Sequence, residues 1–110
     1  EGIKAVKKIY QKLVRDRIPS VIADAGKTFA SRKADENEII SYAFKKLHEE
    51  IQEFTEDPSA EEAADVMEIF HFLCDKLGIR DSAVMAQATS KRIRRGGYEQ
   101  GIILEWVDDE

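Results

Sequence analysis

Between residues 36 and 56 the large apolar side chains fall at Ile40, Phe44, Leu47, Ile51 and Phe54, spacings of three and four that line one face of an α-helix. Asp35 and Glu38 stand three apart just ahead of this stripe, the pattern of a capping box, and so predict a long helix over roughly 36–56. A further stripe of Val66, Ile69, Phe70, Leu73 and Leu77 predicts a helix that ends at Gly78. Two start signals precede it, Asp57-Pro58 as cap and first-turn proline, and the overlapping Ser59 and Glu62 pattern. So short a connection makes the two helices antiparallel neighbours. Met67, Phe72 and Cys74 widen the apolar face of the second of them until it needs partners on several sides. Three other short helices do not supply these, so an oligomer is expected, a homodimer or homotetramer.

The flanks are less regular. From Lys4 to Asp24 the apolar residues follow no steady period, but Pro19 marks the first turn of a short helix near 19–25 that stops at Gly26. Asp81 stands where it caps a fourth helix running to about Arg94, which Gly96-Gly97 ends. Ile102, Ile103, Leu104, Trp106 and Val107 read as strand-like, with residues 28–33 as the partner of a minor two-stranded element. With no repeat at solenoid periods and no low-complexity linker, residues 1–110 are expected to form a single domain. The expected fold is all-α: an antiparallel bundle of about four helices with a small two-stranded β element near the C-terminus.

Composition narrows the setting. The 110 residues are 43% hydrophobic and 35% charged with 2 prolines, which rules out a disordered chain and favours a helical one. A formal net charge of -5 argues against indiscriminate binding to nucleic acid or an anionic membrane, so a polyanionic ligand has to be recognised locally. Cys74 is alone and cannot form an internal disulfide. No apolar run approaches the roughly 18 residues of a membrane span, and the first residues lack the design of a secretion signal. A cytoplasmic location is the expectation.

The candidate chemistry lies on the two central helices. Glu50 and Glu53 are three apart on one, Glu62 and Asp65 on the other, so each pair shares a helix face. At about 100° per residue, Glu62 lies in line with Val66, Ile69 and Leu73, Asp65 borders that stripe, Glu50 flanks its own, and Glu53 lies farther round. Carboxylates gathered at a semi-buried spot repel and lose hydration unless cations neutralise them. A hard divalent ion meets that need, Mg²⁺ by default with Mn²⁺ as the alternative, whereas two histidines and one cysteine are too few and too scattered for zinc. The bland alternative is a solvated acidic face in which Glu61 and Glu62 serve the helix dipole. On the residues alone both stand, and the conjunction of two pairs beside one turn favours the site.

Lys91 and Arg95, four apart near the end of the fourth helix, are candidate phosphate contacts, although cations there also meet the helix dipole for ~0.3–1 kcal/mol without any ligand. Lys12, Arg15 and Asp16 form a polar knot that is either a set of structural ion pairs or part of a substrate mouth. His48 and His71 are isolated, and Gly96-Gly97 lacks the context of a phosphate loop. The basic run from Lys91 to Arg95 with Tyr98 motivates a nucleic-acid-binding reading, but no stacking series accompanies it.

Glu49-Glu50-Ile51-Gln52-Glu53 followed by Glu62-Ala63-Ala64-Asp65 resembles the E-E-x-x-E and E-x-x-D pattern of the MazG-like, all-α nucleotide pyrophosphohydrolases. Lys12-Leu13-Val14-Arg15-Asp16-Arg17-Ile18-Pro19 and Lys91-Arg92-Ile93-Arg94-Arg95-Gly96-Gly97-Tyr98 resemble the phosphoribosyl-ATP pyrophosphohydrolase-like branch. The resemblance implies Glu50, Glu53, Glu62 and Asp65 as magnesium ligands that act in catalysis through the metal, with Glu49 outside that set. It implies substrate contacts at Lys12, Arg15, Asp16, Lys91 and Arg95, and an enzyme that cleaves a nucleoside triphosphate between the α and β phosphates. Removal of non-canonical nucleotides and hydrolysis of phosphoribosyl-ATP both fit, with neither nucleic acid nor membrane as a partner. The eight residues between Glu53 and Glu62 are fewer than in many relatives, which implies a differently shaped pocket floor. The alternative is a non-catalytic, metal-stabilised interaction or nucleotide-binding protein of the same fold.

Overall fold

The computed structural model describes residues 6–109; Lys4 and Ala5, the start of the irregular N-terminal stretch, lie outside the described residues. Four helices follow one another: α1 (Ile18–Asp24), α2 (Ile39–Glu56), α3 (Ala60–Lys76) and α4 (Asp81–Arg95). The described residues are all-α, with the predicted helices in their predicted order.

Local chemistry explains the boundaries. Asp35 and Glu38 form their capping box, Asp35 Oδ1 accepting from the Glu38 N–H at 2.9 Å and the Glu38 carboxylate from the Asp35 N–H at 3.3 Å. The box closes a turn over 36–38, so regular helix begins at Ile39 instead of 36. Asp57 terminates α2 and does not cap α3. That role falls to Ser59, held extended at φ -142 and ψ 164, whose hydroxyl accepts from the Glu62 N–H at 3.2 Å. At the far end of α3, Gly78 takes φ +72, with Ile79 N–H bonding to the Cys74 carbonyl at 2.8 Å and Gly78 N–H to that of Asp75 at 3.1 Å. This is a Schellman termination, and its left-handed position suits glycine. Asp81 does not cap α4 as its position promised: Arg80 is the N-cap, and Asp81 is the first helical residue.

The packed part of the bundle is the α2–α3 hairpin. Ala43, Ile69 and Leu73 form its core, with Leu13, Ile40, Leu47 and Phe72 packed against them. On α2 the contact line therefore runs through Ile40, Ala43, Leu47 and Glu50, rotated by roughly 40° from the stripe of large apolar residues. Phe44 and Ile51 fall on the margin, 42% and 44% exposed, while Ala43 is wholly buried and Glu50 is only 5% exposed. A side chain as small as Ala43 leaves room for α3 on that side, and the turn of α2 toward α3 carries Glu50 into the interface.

The expected β element is absent among the described residues. Residues 28–33 and 102–107 have no strand pairing, and Ile102, Ile103, Leu104 and Trp106 are each more than three-quarters exposed. Strand-like residues without a facing ladder have no hydrogen bonds to gain by straightening. Nor does α4 bury any residue. The single chain is accordingly long, 73 × 31 × 31 Å, with a radius of gyration of 20.0 Å, where a compact chain of this length would have about 13 Å.

Ala43→Leu is expected to destabilise the protein by about 1–3 kcal/mol through overpacking, and Gly78→Ala by about 1 kcal/mol through its left-handed backbone. Urea unfolding checks both. Wild-type stability in Ala43→Leu would mean that room at Ala43 is not what fixes the hairpin.

Candidate metal centre

Glu50 comes from the last turns of α2, and Glu62 and Asp65 from the first turns of α3, so the short connection between the helices brings them together. One carboxylate oxygen from each lies within 4.8 Å of the others. A second, overlapping group joins Glu49, Glu50 and Glu53. Glu50 belongs to both, which makes it the centre of the arrangement.

Its two oxygens have different fates. Lys46, one turn earlier on α2, places Nζ 3.1 Å from Glu50 Oε1 and 3.1 Å from Glu49 Oε1. Glu50 Oε2 is buried without a hydrogen-bond partner, and so is Glu62 Oε2. A carboxylate oxygen withdrawn from water and left unbonded is costly, and two of them in one cluster need a common partner.

The surrounding charges leave such a need unmet. Lys12 Nζ lies 3.1 Å from Glu49 Oε1, and Arg15 Nη2 donates to Asp65 Oδ1 at 2.7 Å. Among the described residues, five carboxylates, Glu49, Glu50, Glu53, Glu62 and Asp65, thus meet three cations, Lys12, Arg15 and Lys46. Full ionisation leaves an excess of two negative charges, the charge that one divalent cation cancels.

Titration behaviour follows the same geometry. Burial pushes the Glu62 carboxyl above its ordinary range, and the charges of Asp65 and Glu50 push it further. Glu53 is raised chiefly by the charge of Glu50, one turn earlier on the same helix. Glu49 moves the other way: burial works to raise it, but its bonds to Lys12 and Lys46 outweigh that and hold it below the usual carboxylate range. Lys46 loses hydration, yet Glu50 and Glu49 more than compensate and keep it charged. Arg15 is raised above all by its hydrogen bond to Asp65.

All the donors are oxygens, a set that suits hard divalent ions such as Mg²⁺, Mn²⁺ or Ca²⁺. Acidic clusters on helices are common without an ion; the buried, unbonded Oε2 atoms are what set this one apart. The expected ranking of the carboxylates changes: Glu50, expected only to flank its stripe, is the most buried of them. Among the expected substrate contacts, Lys12 and Arg15 reach the acidic group, as ion pairs to Glu49 and Asp65. The exposed Asp16 side chain bonds to nothing among the described residues. Lys91 and Arg95 stand exposed on α4 and form no bond to the site. Lys46 escaped the sequence reading, though its spacing of three and four from Glu49 and Glu50 is the signal that reveals it.

Open depressions among the described residues lie elsewhere. One, of about 480 Å³, runs along α4 past Met85, Thr89 and Ile93. Another, of about 450 Å³, lies at the α3–α4 corner, where His71 Nε2 is 3.1 Å from Asp81 Oδ2. Neither includes a carboxylate of the cluster. Comparison with protein-family models, with curated proteins and with solved structures finds no match.

Since folding raises Glu53 and Glu62, these groups favour the fold below the unfolded carboxylate titration and turn against it as pH rises through the raised values. Glu62→Gln is therefore expected to raise the melting temperature of the metal-free protein near neutral pH and to leave it unchanged at about pH 4. Added Mg²⁺ or Mn²⁺ should raise the melting temperature of the wild type but not of this variant. A variant that melts lower than wild type near neutral pH would show that the charge of Glu62 supports the fold.

Proposed function

We propose that the protein is a Mg²⁺-dependent nucleotide pyrophosphohydrolase, with Mn²⁺ able to replace Mg²⁺, that hydrolyses a nucleoside triphosphate between its α and β phosphates. The observation that carries this reading is the buried Glu50, whose Oε2 has no partner although Glu62 and Asp65 oxygens lie within 4.8 Å of its carboxylate. The MazG-like pattern of these residues supplies the reaction class.

Glu50, Glu62 and Asp65 would hold the ion, with Glu53 available through its shared neighbour Glu50. When bound, the ion supplies Lewis acidity toward phosphate oxygens and water. Lys46 fixes the Glu50 carboxylate from within its own helix. At the rim, Lys12 and Arg15 offer cations to a phosphate chain, the arginine through a planar fork suited to two oxygens. The products are a nucleoside monophosphate and pyrophosphate, and one water is consumed. Cleansing of non-canonical nucleotides in a cytoplasmic pool is the role we assign. No helix among the described residues is long and apolar enough to cross a membrane.

The proposal includes a homodimer or homotetramer. Met85 and Ile93 on α4 and Ile102 to Val107 in the tail leave much apolar surface uncovered, more than single scattered residues would. Assembly is also the way Lys91 and Arg95, which form no bond to the site within one chain, would come to a substrate.

Pure protein incubated with canonical, deoxy and damaged triphosphates and Mg²⁺ is expected to release pyrophosphate and monophosphate, and Glu50→Gln to lower kcat by about 10²-fold or more. Release of orthophosphate alone would overturn the position of cleavage. Metal binding without any release would favour the non-catalytic interaction protein. Light scattering should give twice or four times the mass of the chain, and a monomer at micromolar concentration would refute the assembly.

A further inference from the structure

Residues 12–15 strap the two central helices together beside the carboxylates. Lys12 reaches Glu49 on α2, and Arg15 reaches Asp65 on α3. Between them Leu13 packs on the hydrophobic core. Two polar ends are thus spaced by one apolar anchor, and the segment spans the helices at the level of the site.

Among the described residues three cations serve the cluster, but they are not equivalent. Lys46 is on α2 itself, its side chain only 17% exposed and bonded to both Glu49 and Glu50. Arg15 comes from outside the hairpin with its side chain 57% exposed, yet it is bonded to a carboxylate of the inner group, the one formed with Glu50 and Glu62. An exposed ion pair of this kind is weak and readily exchanged. A divalent ion in that group would draw on the same Asp65 charge and repel the guanidinium at close range.

We propose that Arg15 is a built-in, exchangeable counter-cation of the metal site: it holds Asp65 while the site lacks a divalent ion, and the ion displaces it on binding. The inference rests on the reading of Glu50, Glu62 and Asp65 as a divalent-metal site and adds to it a competition between the ion and a side chain of the same protein. The Leu13 anchor keeps the strap on the hairpin after exchange, so the freed guanidinium stays at the rim. The exchange puts two positive charges where the guanidinium put one, so the cluster, two negative charges in excess with Arg15 bound, keeps an excess of one with the ion bound and Arg15 released. The arginine is a positioning residue for the empty site, and it becomes available to an anion only once the metal is in place.

The test is Mn²⁺ binding to the full chain without nucleotide, followed by isothermal titration calorimetry. Arg15→Gln removes the competitor and is expected to bind Mn²⁺ about threefold more tightly than wild type, the scale of an exposed ion pair. Arg32→Gln removes the same charge from a pair with Glu38, off the site, and is expected to leave affinity unchanged. Arg15→Lys keeps the charge and the strap and should restore the weaker, wild-type binding. If Arg15→Gln binds Mn²⁺ as wild type does or more weakly, the competition is overturned while the metal site survives. An equal gain in Arg32→Gln would reduce the effect to net charge and also overturn it. If no variant nor the wild type binds Mn²⁺, the metal reading fails, and the exchange fails with it.

Discussion

The close seating of α2 on α3 at Ala43 governs the rest of the molecule. With no side chain beyond Cβ at that position, α2 turns its Ile40, Ala43, Leu47 and Glu50 line toward α3, and the phenylalanine and isoleucine of its more apolar stripe are left at the edge. A hydrophobic contact would ordinarily be lined by the larger groups. Here the smaller one sets the rotation, and a glutamate enters the interface as a result. The electrostatics of the site follow from that geometry, since Glu50 then meets the first turn of α3, where Ser59 holds the backbone of Glu62.

Charge in this interface is arranged in layers. Lys46 neutralises the α2 side from within, Lys12 and Arg15 approach from the strap, and the Oε2 atoms of Glu50 and Glu62 are left without a partner. Like-charged carboxylates held so close raise the free energy of the folded, cation-poor state. The hairpin tolerates this because the apolar contact of Ala43, Ile69 and Leu73 lies alongside and is independent of the charges. Binding potential and fold stability are therefore carried by neighbouring but different residues of the same two helices.

Much of this arrangement can be read from the amino-acid order. The Asp35–Glu38 box, the Ser59 cap and the Gly78 stop act within a few residues, so their outcome depends little on tertiary context, and they bracket α2 and α3 to within a few positions. Glu62 and Asp65 are legible for the same reason, because they share the α3 stripe with Ile69 and Leu73. The depth of Glu50 is not, because it depends on which face of α2 meets α3, and a count of large apolar residues overlooks Ala43. The β element failed on a different ground: Ile102 to Val107 have strand-forming side chains, but a strand exists only in a pair, and no residue along the tail specifies its mate. Asp57 and Asp81 are good capping residues in poor places, displaced by Ser59 and Arg80 one or two positions away.

The strap has a consequence for the order in which the protein forms. α2 and α3 are joined by residues 57–59, so closing their contact confines little chain. Lys12 finds Glu49 across 37 positions and Arg15 finds Asp65 across 50, and the entropy of closure rises with that separation. On loop-closure entropy alone, the carboxylates are expected to gather before Lys12 and Arg15 reach them. A hairpin formed without the strap would hold its acidic cluster with Lys46 alone, and dissolved cations would be the counter-charge at hand. By that argument the ionic composition of the medium is expected to bear on the folding of this chain as well as on ion binding at the folded cluster.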